Sequence, residues 1–212
     1  MAKALAEPMK ARETSVNKRD SIVEGAGRVF LACGFVATSM DTIAAESGVS
    51  KQTIYSHFGS KDALFEAIVR QKCDEMMEPV AQSELRGDEP REVLRSIARR
   101  FLLLILDPAN TRLFKAIVAE SERFPDLAKT FYRSGPRAVS DQLAAYLTEQ
   151  HREGVLWVPD PKASGELFFA LMRADQYIRS ILSITQEPGT DKIERHVDHA
   201  VEVFLAAHAL VE

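Results

Sequence analysis

Apolar residues recur at three- and four-residue spacing along almost the whole of this 212-residue chain, and the alternation that marks a half-buried strand is scarce. Helices with one apolar stripe must bury it against one another, so the pattern points to an all-α architecture. A first helix is expected from about Asn17 to Cys33, with Ile22, Ala26, Val29, Phe30 and Cys33 on its buried stripe and Gly34 as its stop. Gly25 and Gly27 inside it each cost about 1 kcal/mol against alanine; close packing of a neighbouring helix is the expected reason. Two short helices follow. The first is entered through Thr38 or Ser39, with Asp41 able to close a capping box on Thr38, and is broken by Gly48; the second is capped by Ser50 and runs from about Lys51 to Phe58. After Gly59-Ser60 the pattern predicts helices over about 61–83, 90–106, 109–123, 125–151, 161–184 and 190–210, divided by Gly- and Pro-rich punctuation. Gly135-Pro136 should kink or split the fourth of these, and Asp160-Pro161 reads as an N-cap with proline at the first helical position.

The chain is 46% apolar and 27% charged, enough for a real core without a metal or disulfide staple. No apolar run is longer than that from Phe101 to Leu106, about a third of the ~20 residues a bilayer span needs, and no signal-length apolar stretch opens the chain. No membrane contact and a cytoplasmic location are therefore expected. Cys33 and Cys73 are far apart and form no CxxC, so both are expected as buried free thiols. A net charge of −4 argues by itself against a nucleic-acid partner. Its distribution does not: residues 1–60 carry seven bases and six acids, with bases bunched ahead of the first helix, which allows a local DNA-binding patch.

The stretch Met40 to Phe58 carries the functional signal. Ile43 and Ile54 can pack inward on two short helices, Ala44 is small where they cross, Gly48 suits a left-handed turn, and Val49 plugs the corner. This is a helix-turn-helix pattern, whose second helix enters the major groove. Its outward residues are Lys51, Gln52, Thr53, Tyr55, Ser56 and His57, and Lys51 to His57 contains no acid, unlike an ordinary solvated face. Gln52 can read adenine bidentately, Thr53 can offer a hydroxyl or a methyl to thymine, and Lys51 can meet guanine or a phosphate. Thr38, Tyr55, His57 and Lys61 are better placed to hold phosphates. The same small and apolar positions would also serve a helical hairpin in an unrelated all-α core.

These residues carry a family resemblance. The first helix ending in VFLACGF, then Thr38-Ser39-Met40, IAAESGVSKQTIYSHF and GSKDALF, together Ile22 through Val69, resemble the DNA-binding region of the tetracycline-repressor (TetR) family of bacterial transcriptional regulators. Leu113 to Pro136 further resembles the C-terminal class of AefR-like repressors. The resemblance implies a flexible arm over 1–16, a helix-turn-helix domain over 17–60, and a helical ligand-binding and dimerisation domain over 61–212. It places Gln52, Thr53 and Lys51 in the groove and Thr38, Tyr55, His57 and Lys61 on the DNA backbone. Gln52 stands where many members of the family have a small residue, which implies a distinct operator preference. The arm bases Lys10, Arg12, Lys18 and Arg19 could follow phosphates or a minor groove, or form a solvated tail.

The implied partners are a double-stranded DNA operator, a second copy of the chain, and an effector, a largely apolar small molecule, whose binding releases the DNA. The large side chains that could line its cavity are Phe101, Phe114, Ile117, Phe131, Tyr132, Phe168, Phe169 and Met172, with Arg173 and Gln176 as polar contacts; each could equally be plain core. Leu167, Leu171, Ile178, Ile181 and Leu182, with Val197, Val201, Phe204 and Leu205, are more apolar surface than one helical pair must bury at home. They are the expected dimer seam. An enzyme and a helical adaptor without DNA affinity are the competing classes. No phosphate loop, HExxH or GxSxG is present, and His196 and His199 would need further ligands, the nearby Asp198 and Glu194 being read as solvated acids, so no cofactor and no metal are expected.

Overall fold

The computed structural model describes residues 6–86, 89–184 and 189–210, and the side chains among them from Lys18 onward except those of Met76 and of 79–86. Among the described residues every regular element is helical: α1 (Ala6–Cys33), α2 (Met40–Ser47), α3 (Lys51–Phe58), α4 (Lys61–Arg86), α5 (Pro90–Leu106), α6 (Pro108–Glu120), α7 (Pro125–Tyr132), α8 (Ala138–Arg152), α9 (Pro161–Met172), α10 (Asp175–Ile181) and α11 (Thr190–Ala207). The all-α expectation holds, with three adjustments. Helix α1 starts at Ala6 rather than Asn17, so residues 6–16 are helical rather than a flexible arm: AEPMKARETSV is mostly helix-forming, and Pro8 falls in the first turn, where its missing N–H has no partner to lose. The side chains of Lys10 and Arg12 lie outside those described.

Second, the expected 125–151 helix is divided by a wide π-type turn at Arg133–Arg137 that contains Pro136. A proline has no N–H for the regular ladder, and the widened turn absorbs the defect. Third, the expected 161–184 helix breaks at Arg173 and Ala174, leaving α9 and α10 as separate elements. Arg-Ala-Asp carries no breaker, so nothing local in the sequence announces that break. Elsewhere the capping logic is realised. Asp160 accepts from the Ala163 N–H at 3.0 Å with Pro161 at the first position of α9.

Two compact units emerge. One runs from the N-terminal helix to Val69 and takes in Arg112–Thr130; the other holds Arg70–Thr111 and the chain from Phe131 onward. The first unit is centred on Phe30, Phe35 and Phe65, whose ring centroids lie 5.1 to 5.6 Å apart, with Ile22, Ile43, Ile54 and Leu64 fully buried around them. The second is built on an aromatic chain: Phe101 lies 4.8 Å from Phe169, Phe169 5.5 Å from Phe168, and Phe168 5.1 Å from Phe204. At its surface, Arg91, Arg95 and Arg99 on α5 pair in sequence with Glu202, with Asp198 and Glu194, and with Glu194 on α11. Exposed pairs of this kind each add little, so the aromatic core carries the unit.

One of the two thiols differs from expectation. Cys73 is buried, and burial, with Asp74 adding to it, pushes its pKa up to about 11. Cys33 is exposed, because the apolar stripe of α1 ends with Phe30 and the helix stops one turn later. A disulfide-exchange reagent at pH 8 should therefore modify one thiol rapidly and the second only on unfolding. Two equally fast thiols would contradict this burial.

Candidate nucleic-acid interface

The helix-turn-helix is assembled from its caps inward. Ser39, not Thr38, caps α2: its hydroxyl accepts from the Thr42 N–H at 3.1 Å. The expected Thr38–Asp41 box is absent, since the hydroxyl of Thr38 turns inward and donates to the Gly34 carbonyl at 2.7 Å. Gly48 adopts φ 65°, the left-handed conformation that ends α2, and Ser50 then caps α3 by accepting from the Thr53 N–H at 3.1 Å. Ile43 and Ile54 are fully buried, as the spacing requires. Against α1, a side chain at Gly25 would put its Cβ 2.4 Å from Ser47 Oγ and 3.1 Å from Ser47 Cα. The glycine thus lets α2 cross α1 at close range; Gly27, whose Cβ would meet only Ile68 at 3.8 Å, has no such tightness.

This packing turns one face of α3 outward. Lys51, Gln52, Tyr55 and Ser56 are exposed, and Thr53 and His57 are partly so. The Thr53 hydroxyl lies 2.7 Å from Ser50 Oγ, so its polar end serves the cap while its methyl remains for contact. Lys51 is not free: its ammonium donates to Asp41 Oδ2 at 2.9 Å, a partner supplied by the first turn of α2. That bond, and the carboxylate's charge, hold the Lys51 pKa above the ordinary lysine value. The pairing is not legible in the sequence, because the two residues are ten apart and on different helices. Arg19, expected with the arm bases, places its guanidinium 5.3 Å from the centre of the Phe58 ring at the end of α3.

Two of the expected phosphate anchors are engaged inside the protein. Thr38 is 3% exposed and its single hydroxyl proton goes to Gly34, so its side chain offers no donor to a phosphate. Lys61, at the start of α4, donates to the carbonyls of Phe35 and Thr38 at 2.9 Å each and lies 4.4 Å from the Phe35 ring centre. One N–H of its ammonium remains. Its partial burial draws its pKa below the ordinary value, against a smaller opposing effect of Asp62. Lys61→Met should lower the stability of the chain by about 1.5–3 kcal/mol, the range for hydrogen bonds that involve a charged group. An unchanged denaturation midpoint would show that this clamp contributes nothing.

The expected effector-lining residues are drawn from both units. Phe114 and Ile117 belong to the first unit, and the others to the second. There Phe101, Phe168, Phe169 and Met172 are buried together as core, Tyr132 is exposed, Phe131 and Gln176 are partly buried, and the Arg173 guanidinium lies 5.5 Å from the Phe101 ring centre. The expected seam also divides. Leu167, Ile178 and Leu182 are 51%, 53% and 61% exposed, and Leu171, Ile181 and Leu205 partly so. Val197, Val201 and Phe204 are buried within their own unit, because that stripe of α11 is what packs against α5 and α9. His196 bonds the Leu171 carbonyl at 3.1 Å, and no group of three or more potential metal ligands occurs among the described residues. No helix among them is long and apolar enough to cross a membrane.

Comparison with known proteins decides the family. Residues 22–68 match the bacterial regulatory proteins of the tetR family, and residues 92–209 match the AefR-like transcriptional repressor C-terminal domain, which alone spans more than half of the chain. The chain belongs to the TetR family. TetR-family proteins are transcriptional regulators, not enzymes, and the relatives agree. The flavonoid-responsive regulator FrrA is 32% identical, with a TM-score of 0.65 over 92% of this chain and 99% of FrrA. A Mesorhizobium loti protein assigned to the TetR family is 26% identical, with a TM-score of 0.75 over 92% of this chain and 98% of that one. The transcriptional activator FasR of Mycolicibacterium smegmatis is 33% identical over 84 residues, 40% of this chain and 38% of FasR. Against the first such curated relatives the matched stretch spans only 28% to 40% of their length.

Proposed function

We propose that the protein is a homodimer that reads a pseudo-palindromic operator with α3 of each subunit, represses by occupying a promoter, and is released by a small, largely apolar effector. The exposed face of α3 carries this reading. It presents Gln52 and the Thr53 methyl for base edges, Lys51 for guanine or phosphate, and Tyr55 and His57 for the DNA backbone, on a helix whose caps and apolar plugs fix its position. Lys61 adds one remaining N–H, and the Thr38 side chain leaves the contact set.

An eight-residue recognition helix buries little surface by itself, so two subunits on two half-sites are needed for operator affinity. The exposed Leu167, Ile178 and Leu182 support the second unit as the pairing surface. The AefR-like repressor match supports repression over activation, and the flavonoid response in FrrA's name supports control by a small molecule. The effector must prefer one conformation of the dimer, because equal affinity for both would shift nothing. Titration of an operator duplex, followed by anisotropy and sedimentation, should give two chains per half-site pair. One chain per duplex would overturn the dimeric reading, and no complex at low salt would overturn DNA binding.

A further inference from the structure

We infer that Asp41 is a specificity-determining residue, which holds Lys51 back from DNA that is not the operator; the inference rests on the DNA reading of α3. Lys51 and His57 are the basic residues of α3, and Lys51 is its one permanent cation. Lys51 sits at the first position of that helix, where the N-terminal dipole disfavours a positive charge. Asp41 sits in the first turn of α2, where the dipole favours its carboxylate. The turn at Gly48 brings the two to 2.9 Å, and both side chains remain solvent-exposed, at 46% for Lys51 and 73% for Asp41. The face that meets the groove is thus close to neutral until that pair is opened.

The consequence follows from how proteins bind unrelated sequences. Non-specific affinity is almost wholly the release of counterions when lysine and arginine neutralise phosphates. A lysine already neutralised by its own protein releases none, and a carboxylate beside it repels the phosphate it would approach. At the operator, base contacts by Gln52 and Thr53 seat α3 in the groove, and Lys51 can trade Asp41 for a fixed acceptor there. Asp41 therefore lowers affinity for random DNA more than affinity for the operator, and acts through Lys51 as a positioning residue.

The test compares wild type, Asp41→Asn, Asp41→Glu, and Asp41→Asn combined with Lys51→Ala, each folded by circular dichroism. Affinities for a random duplex and for the selected operator are measured across a salt series. Asp41→Asn is expected to bind the random duplex about three- to ten-fold more tightly, with the slope of log affinity against log salt steeper by about two, one for each subunit's Lys51. Its operator affinity should change less, so that the specificity ratio falls. Asp41→Glu should retain wild-type discrimination, and removing Lys51 should cancel the gain. An unmoved random-duplex affinity and slope, or a gain that persists without Lys51, would overturn the inference while leaving the DNA reading intact. Failure of wild type to prefer any duplex would overturn both.

Discussion

Combining Gln52→Ala with Thr53→Ala should remove most of the discrimination between operator and unrelated DNA while leaving the fold untouched. Each base contact is worth about 1–3 kcal/mol, and a two-fold dimer makes each of them twice. Truncating even one of the two residues thus weakens operator binding by about 2–6 kcal/mol, roughly 30-fold to 10⁴-fold. Neither residue is buried, so the thermal midpoint should hardly move. The decisive readout is the ratio between operator and random duplex at one salt concentration, since random-duplex affinity depends on cations that the pair does not supply. Equal loss on both duplexes would mean that α3 holds the backbone and does not read bases.

Phe168→Ala acts at the other end of the account. Phe168 is fully buried and meets both Phe169 and Phe204 edge to face, so it joins the aromatic rows of α9 and α11. Truncation of such a ring costs about 3–5 kcal/mol, from lost burial together with the cavity left behind. That is a large part of the 5–15 kcal/mol by which folded domains of this kind typically exceed their unfolded states. Urea unfolding of the full chain should show a markedly lower midpoint with an unchanged slope. A shift below about 1 kcal/mol would show that the cluster is not the core of its unit. Leu167, its exposed neighbour, is the control: Leu167→Ala should weaken self-association and leave the packing of the unit intact.

The helix-turn-helix was legible because its constraints are local. Ser50, Gly48, Ile43 and Ile54 each do a job dictated by a short stretch of backbone, and the structure shows each of them doing it. Gly25 was legible as a helical glycine with a close neighbour, but the same expectation fails at Gly27, where only Ile68 comes within 3.8 Å. What failed to show was whatever depends on which side of a helix its partner lies. Val197, Val201 and Phe204 form an apolar stripe suited equally to a dimer seam and to the subunit's own core, and periodicity cannot choose between them. Thr38 and Lys61 are polar residues at the right chain positions for phosphate contact, but their hydrogen bonds to Gly34, Phe35 and Thr38 carbonyls form only when the turn closes. Asp41 reads in the sequence as a capping-box acid for Thr38, and only the fold brings it to Lys51 instead.

The central claim is that a dimer of this chain reads DNA sequence through α3. Selection of bound duplexes from a random pool at about physiological salt, run in parallel with wild type and Gln52→Ala, tests it most directly. The account predicts that wild type enriches a pseudo-palindrome whose half-sites lie about one helical turn, ~34 Å, or a multiple of it apart. The variant should lose the preference at one position in each half-site. Enrichment of no sequence by wild type, or of the same sequence by both proteins, would contradict it.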